Sequence, residues 1–426
     1  MSAFAKAKAS RSKYVRSVLS GIAIVGAGAL VLTGCQATGG DGDKGGPAKD
    51  LVLKIGTLLP ETGSLAFLGP PEEAGVALAA KEINDAKLGI SVEVTYGDSG
   101  DADNKAYATT VPNLLAKGVD VVFGAASSGV SKLVIDQIVG ANTIEFSPAN
   151  TSPDFTTWDD HNLYWRTAPS DLLQGEVLGN LIAKDGASTL GMIVLNDAYG
   201  TGLEKVTRET FEAAGGKVVA SKFFNAGDTT FDAQIAAVTA EKPDAIALIT
   251  FDEIYTIAPA LKATGFDMSH VYLVDGNLKQ FGTGDKGLPA GTLTGAKGTT
   301  PGPVLKSDFQ DRLKAIYSEQ FGGTLEDYSY AAESYDGVIV LALAALAAKS
   351  SKATDIATKL QEVSGGSGNG EKCTDFKSCA TIINGGGTAD YDGASGGIAF
   401  DKAGDPTQAT IGIFQYDDQN NFTRIN

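Results

Sequence analysis

From residue 51 onward, short apolar runs alternate with stretches whose apolar residues recur every three or four positions. LVLKIGTLLP (51–60) predicts a strand. Pro70-Pro71-Glu72-Glu73 opens a helix running to about Asn84, because proline and acids suit a helix's first turn. SVEVTYGD (91–98) is a second strand, 104–117 a helix and VDVVFGA (119–125) a third strand. SKLVIDQIVGA (131–141) is helical and NTIEFSP (142–148) is a strand. The pattern restarts after Arg166, with helices at 171–184, 201–215, 230–240 and 254–265 and strands at 189–197, 217–224, 244–251 and 270–276. Long helices follow at 305–320 and 329–348, then a shorter one at 352–363. Residues 396–418 read as two strands joined by a turn. Strand–helix–strand repetition implies an α/β fold with parallel sheets covered by helices on both faces, here as two similar units.

The first residues follow a different pattern. Lys6, Lys8, Arg11, Lys13 and Arg16 stand without an acid, and SVLSGIAIVGAGALVL (17–32) is apolar. A basic segment followed by an apolar one is the pattern of an export signal. It ends in Leu32-Thr33-Gly34-Cys35, which resembles the bacterial lipobox, so residues 1–34 are expected to be a cleaved signal peptide and Cys35 the lipidated mature N-terminus. Residues 35–50 are polar and Gly-rich, the composition of a flexible tether. The other apolar run, GVIVLALAALA (337–347), is too short to span a bilayer and reads as a buried helix.

Composition narrows the chemistry. The chain has 34 Lys+Arg against 51 Asp+Glu, a net charge of −17, which the loss of the leader's five cations deepens. That excludes a nucleic-acid binder, since phosphate neutralisation needs a basic face. Two His among 426 residues exclude a His-rich metal site, and neither a metal nor a cofactor is expected. Apart from Cys35 the cysteines are Cys373 and Cys379, which an exported protein can oxidise to a disulfide; two free thiols are the other reading.

Ligands of open α/β sheets bind beyond the carboxyl ends of the strands. There the first unit places Ala125-Ala126-Ser127-Ser128-Gly129 ahead of a helix, and Ser147-Pro148-Ala149-Asn150-Thr151-Ser152-Pro153. Hydroxyls and free N–H groups at a helix start suit a carboxylate, although Ser127, Ser128 and Thr151 also fit as plain caps and turn residues. The second unit offers Tyr199, Phe251 with Asp252 and Glu253, and Asp275. Acids with aromatics suit an ammonium group. Together the two halves match a zwitterion.

IGTLLPETGSLAFLG…AGVALAAKEIN, VVFGAASSG, FSPANTSPDFT, WRTAPSDLLQG and NDAYGTGL, occurring in that order, resemble the extracellular solute-binding proteins of ABC importers for branched-chain amino acids. The resemblance covers residues 51–350 and is loose beyond. It implies the type I periplasmic binding protein fold, two Rossmann-like lobes joined by three crossovers near Ala168–Asp171, Lys297–Thr300 and Asp405–Ala409. Lobe 1 would take 51–169 and 300–406, lobe 2 170–299 and 407–426. It further implies that Ser128, shared with Ser127, holds the ligand carboxylate and that Ala149 and Thr151 add backbone and hydroxyl contacts. Tyr199 would line the cleft, Asp275 would receive the ammonium where relatives often have Glu, and Leu68 would stand where relatives have an aromatic. The partners implied are an amino acid and the ABC permease subunits, with the protein a lipid-tethered monomer on the outer face of the cell membrane.

Two enzyme motifs compete weakly. Gly393-Ala394-Ser395-Gly396-Gly397 fits G-x-S-x-G without a strand–helix context. Gly282–Gly287 fits G-x-G-x-x-G with Pro289 where a helix would open. A sensor presenting ligand occupancy to a receptor, or a binder of an amide or urea, uses the same scaffold.

Overall fold

The computed structural model describes residues 50–284 and 287–426. The expected signal peptide, Cys35 and nearly all of the linker lie outside the described residues.

Two sheets organise the chain. The first joins β1 (Leu51–Leu58), β2 (Ile90–Thr95), β3 (Val121–Gly124), β4 (Ile144–Ser147) and β5 (Tyr164–Arg166), all parallel, in the order β2-β1-β3-β4-β5. Its connecting helices are α1 (Gly69–Ala86), α2 (Tyr107–Ala116) and α3 (Ser128–Gly140). The chain then enters α4 (Asp171–Lys184) and builds β6 (Thr189–Leu195), α5 (Ala198–Ala213), β7 (Lys217–Phe224), α6 (Asp232–Thr239), β8 (Ala245–Ile249), α7 (Ile254–Ala263), β9 (Val271–Leu273) and β10 (Lys297–Pro301). It returns through α8 (Ser307–Phe321), α9 (Ala331–Ala348), α10 (Ala353–Val363), β11 (Glu371–Cys373), α11 (Phe376–Asn384) and β12 (Ala389–Tyr391). It ends with β13 (Ile411–Tyr416) and β14 (Phe422–Arg424). The second sheet has the order β14-β13-β10-β9-β8-β6-β7, parallel except where β13 pairs with β10 and β14.

The strands are nearly uninterrupted apolar runs because helices cover both faces of each sheet. β3, β4 and β8 are buried at every position. One hydrophobic cluster joins the first sheet to α1, α8, α9 and α10, and another fills the second sheet and its helices. A smaller one, around Val111, Leu114, Val130 and Ile138, fills the opposite face of the first sheet. α9 is long and apolar enough to cross a membrane, yet 89% of it is buried against these layers, as expected of a core helix.

Several expectations need correction. The second crossing was placed at Lys297–Thr300, but those residues pair with β9 and β13 as β10, so the chain leaves the second sheet only after Pro301. Residues 396–400 form no strand; Phe400 makes one bridge to Pro406, and the terminal hairpin is β13 with β14. α5 starts at Ala198, not 201, because Asp197 caps it by accepting from Gly200 N at 2.8 Å. Of the two readings of Cys373 and Cys379 the structure has the disulfide, with Cα atoms 5.4 Å apart, which ties β11, paired with β12, to α11.

Candidate functional site

The ends of β3 and β4 converge on one turn. At the end of β3, Gly124 has φ +130°, and a Cβ there would lie 2.1 Å from Leu58 O, so only glycine lets the β1 and β3 ends approach this closely. Beyond it Ser127 caps α3, its hydroxyl accepting from Val130 N at 3.2 Å. The first N–H groups of α3, Ser128 and Gly129, find no backbone acceptor among the described residues, as expected at a helix start. Ser128 Oγ accepts from Thr151 N at 3.3 Å and Ser152 N at 3.2 Å, which leaves its own proton to donate. The turn that follows β4 is held from below. Ser147 Oγ accepts from Ala149 N and Asn150 N, and Asn150 Nδ2 donates to the Ala125 and Ala126 carbonyls, both at 2.9 Å.

The second sheet supplies the opposing face. Tyr199, in the first turn of α5, donates to Asp275 Oδ1 at 2.7 Å, and Phe251 stacks on its ring at 5.3 Å between centroids. A Cβ on Gly276 would sit 2.7 Å from the Phe251 ring, so the close packing of that ring on the Asp275 turn requires glycine. Asp275 is 6% exposed and also accepts from Gln174 Nε2 at 3.1 Å and, at its other oxygen, from Tyr330 OH at 2.6 Å. Tyr330 precedes α9, so this last bond links the two lobes. Burial and the charge of Asp275 raise the pKa of both tyrosines well above the usual value, so both remain donors.

Leu68, Ser127, Ser128, Ala149, Thr151, Tyr199, Phe251 and Asp275 all line one cavity between the sheets. Glu253, the ninth residue expected there, does not. Its carboxylate folds back to accept from Phe251 N at 2.8 Å and faces a neighbouring pocket with Asp101, Asp197 and Asp252. Four further lining residues, Leu65, Ala126, Gly276 and Tyr330, were not foreseen. The cavity is small, about 20 Å³, little more than one water needs. Loading a larger solute therefore requires the lobes to part.

Beside Thr151 and Asp275 lies a second acid that sequence reasoning left without a role. Asp171 is fully buried at the start of α4, its N–H bonded to Thr151 O, and neither carboxylate oxygen has a close hydrogen-bond donor. Burial raises its pKa well above the usual carboxylate value; Asp275 adds to the rise, while the Thr151 hydroxyl and Arg166 oppose it. Asp275 is also raised by burial, against the three side-chain donors that favour its ionised form. Gln174 Oε1, one helical turn on, is unpaired as well. The signal was in WRTAPSDLLQG, an acid at a helix start with a glutamine three residues later on the same face. Arg166, the buried cation that acts on Asp171, is already paired with Asp405, so Asp275 in the cavity lining and Asp171 behind it leave the cluster with more acid than cation.

A cation bound there restores ionisation to acids whose pKa burial has raised. Binding of a ligand that carries an ammonium group is therefore expected to release protons at mildly acidic pH. Its affinity should fall with decreasing pH, beginning above the usual carboxylate range. Calorimetry in buffers of different ionisation enthalpy checks this, and one common binding enthalpy in all of them would show the acids already ionised.

The hydroxyl of the rival G-x-S-x-G motif is engaged in the fold. The Ser395 hydroxyl and N–H both donate to buried Asp336, with no His beside it to act as a base. Among the described residues no cluster of three or more His, Cys, Asp or Glu could hold a metal ion.

Residues 52–379 match the family model described as periplasmic binding protein. The Leu/Ile/Val-binding protein homolog 1 of Brucella abortus (strain 2308) is 30% identical over 328 residues, covering 74% of this chain and 82% of its own. A leucine binding protein from Thermotoga maritima superposes with a TM-score of 0.69 at 21% identity, over 88% of this chain and 98% of its own. A solute binding protein from R. palustris, in complex with benzoate, superposes with a TM-score of 0.67 at 17% identity, over 88% of this chain and 96% of its own. The two sheets, the three passages between them and the match across 52–379 place the chain in the periplasmic binding protein family, with the type I fold.

Proposed function

We propose that this chain is the substrate-binding component of an ABC importer, capturing a branched-chain or related amino acid between its lobes and delivering it to the permease. The observation that carries the reading is the charge layout of the cavity. Ser128 and the free N–H groups of α3 offer donors to a carboxylate, and the buried Asp275 carboxylate, with Asp171 behind it beside Thr151, offers an acceptor to an ammonium. An α-amino acid satisfies both ends, and Leu65, Leu68 and Phe251 leave it an apolar side-chain environment. The relative named for Leu/Ile/Val binding supports this choice. The benzoate complex shows that the fold also serves a carboxylate without an ammonium, and the buried acid pair argues against such a ligand here.

The lobes are assigned as 51–169 with 302–406 and 170–301 with 407–426, the boundary after β10 having moved from 299/300 to follow Pro301. The protein works outside the cytoplasm, tethered by lipid on Cys35 after removal of residues 1–34, as a monomer that binds and releases without turnover.

A thermal-shift series with the twenty L-amino acids, benzoate and urea tests the function. A ligand at a hundred times its Kd stabilises by about 2.7 kcal/mol, a readily measured shift. Leucine, isoleucine or valine should raise the melting temperature, and benzoate and urea should not. Stabilisation by benzoate or urea alone overturns the amino-acid reading.

A further inference from the structure

Away from the acid pair, a second device bridges the lobes. Lys279 belongs to the second lobe: its N–H and C=O both bond the Tyr416 hydroxyl of β13, at 3.2 and 3.0 Å. Its ammonium lies 2.5 Å from Asp252 Oδ1 and 4.6 and 5.7 Å from the ring centroids of Tyr255 and Phe281, all on the same lobe. From the first lobe it meets Phe67, 4.5 Å away in the loop after β1, and the charge of Asp327, ahead of α9. That loop is anchored on its own lobe, where Ser64 N donates to Asp101 Oδ2 at 2.9 Å. Leu65 and Leu68, on either side of Phe67, line the ligand cavity. All three pack into the hydrophobic cluster of the second lobe.

We infer that Lys279 and Phe67 form a cation–π clasp that closes only when the lobes meet, so that Lys279 is a positioning residue for ligand retention. The inference rests on the amino-acid reading above. Opening the lobes withdraws both Phe67 and the Asp327 charge and leaves Lys279 with Asp252 and its own two rings; substitution of Phe67 tests the ring's share alone. A cation held between ring faces and shielded from water is stabilised well beyond an exposed one. The clasp therefore favours the closed form and slows ligand release. It leaves the encounter with the open form, and hence the on-rate, nearly unchanged.

Phe67→Ala, Phe67→Leu and Phe67→Tyr separate ring from bulk. L-Leucine release is followed by stopped-flow fluorescence, beside the melting temperatures of the ligand-free proteins. The Ala and Leu variants should release leucine roughly tenfold faster, while Tyr matches the parent and all ligand-free melting temperatures agree. Parent-like release from Ala and Leu overturns the clasp, as does a fall in ligand-free melting temperature that accounts for the faster release. A readout independent of leucine is acetylation of lysines in the parent, measured by mass spectrometry with and without a mixture of the twenty L-amino acids. Lys279 should be protected relative to exposed Lys402, and Lys279 labelling as fast as Lys402 under both conditions also overturns it. A parent that binds no amino acid yet protects Lys279 refutes the amino-acid reading and leaves the clasp standing.

Discussion

Asp275→Ala is expected to abolish tight amino-acid binding in a protein that still folds. In the closed form three donors converge on this carboxylate: the Tyr199 and Tyr330 hydroxyls and the Gln174 amide. The site is thus built around a negative charge. Losing that charge removes the counterion of the ligand ammonium and leaves buried donors without an acceptor. Truncating one partner of a buried charge pair costs on the order of 2–5 kcal/mol, or roughly thirtyfold to several thousandfold in affinity. The Tyr330 bond also joins the lobes, so part of the loss appears as a weaker closed form. Asp275→Asn isolates the charge, because the amide keeps the shape and one acceptor. Calorimetry should show both variants binding isoleucine at least thirtyfold more weakly than the parent. Ser128→Ala should cost less, about 1 kcal/mol, since the N–H groups at the start of α3 still hold the carboxylate. Asn binding as tightly as Asp would remove the ammonium from this position and transfer its role to Asp171.

The features legible beforehand were those with a strong local cause. β7 and α4 fall at the residues expected, because a long apolar period and Ser170, whose hydroxyl caps α4, set their limits. β5 and β10 were missed. Tyr164–Arg166 is three residues long, and Lys297–Pro301 is polar and ends in proline, so neither carries a periodic signal; their neighbours in the sheet make them strands. In the site, Ser128, Thr151 and Tyr199 follow from their places at strand ends. Tyr330 does not, because it reaches Asp275 from the opposite lobe and only the closed arrangement brings them together. Glu253 stands outside the central cavity because Phe251 N bends its carboxylate back, and it lines the adjoining pocket instead. Asp171 stands in the expected helix, but its lack of a partner is a property of packing and leaves no mark on composition.

The largest effect on stability is expected at Arg166, which never touches the cavity. Its side chain is fully buried at the end of β5. Nε bonds Asp405 Oδ1 at 2.6 Å, Nη1 bonds the Ser152 carbonyl at 2.7 Å and the Asn150 carbonyl at 3.2 Å, and Nη2 reaches Thr156 Oγ1 at 3.2 Å. One guanidinium thus fastens the 148–153 turn, which presents Thr151 to the ligand, to the loop just before the third crossing. A fixed planar fork suits this pattern, and a lysine ammonium does not reproduce it. Arg166→Met leaves Asp405 and two carbonyls buried without their donor, and breaking a buried pair in this way costs about 3–5 kcal/mol. Arg166→Lys should recover only part of that. Arg166→Met with Asp405→Leu should be more stable than Arg166→Met alone, since the unpaired charge is gone. Because the turn also positions the Thr151 and Ser152 N–H groups on Ser128, folded Arg166→Lys should bind isoleucine more weakly than the parent. Denaturant unfolding and calorimetry on the four proteins decide it: if Arg166→Lys matches the parent in both, the fork has no special role and any buried cation suffices.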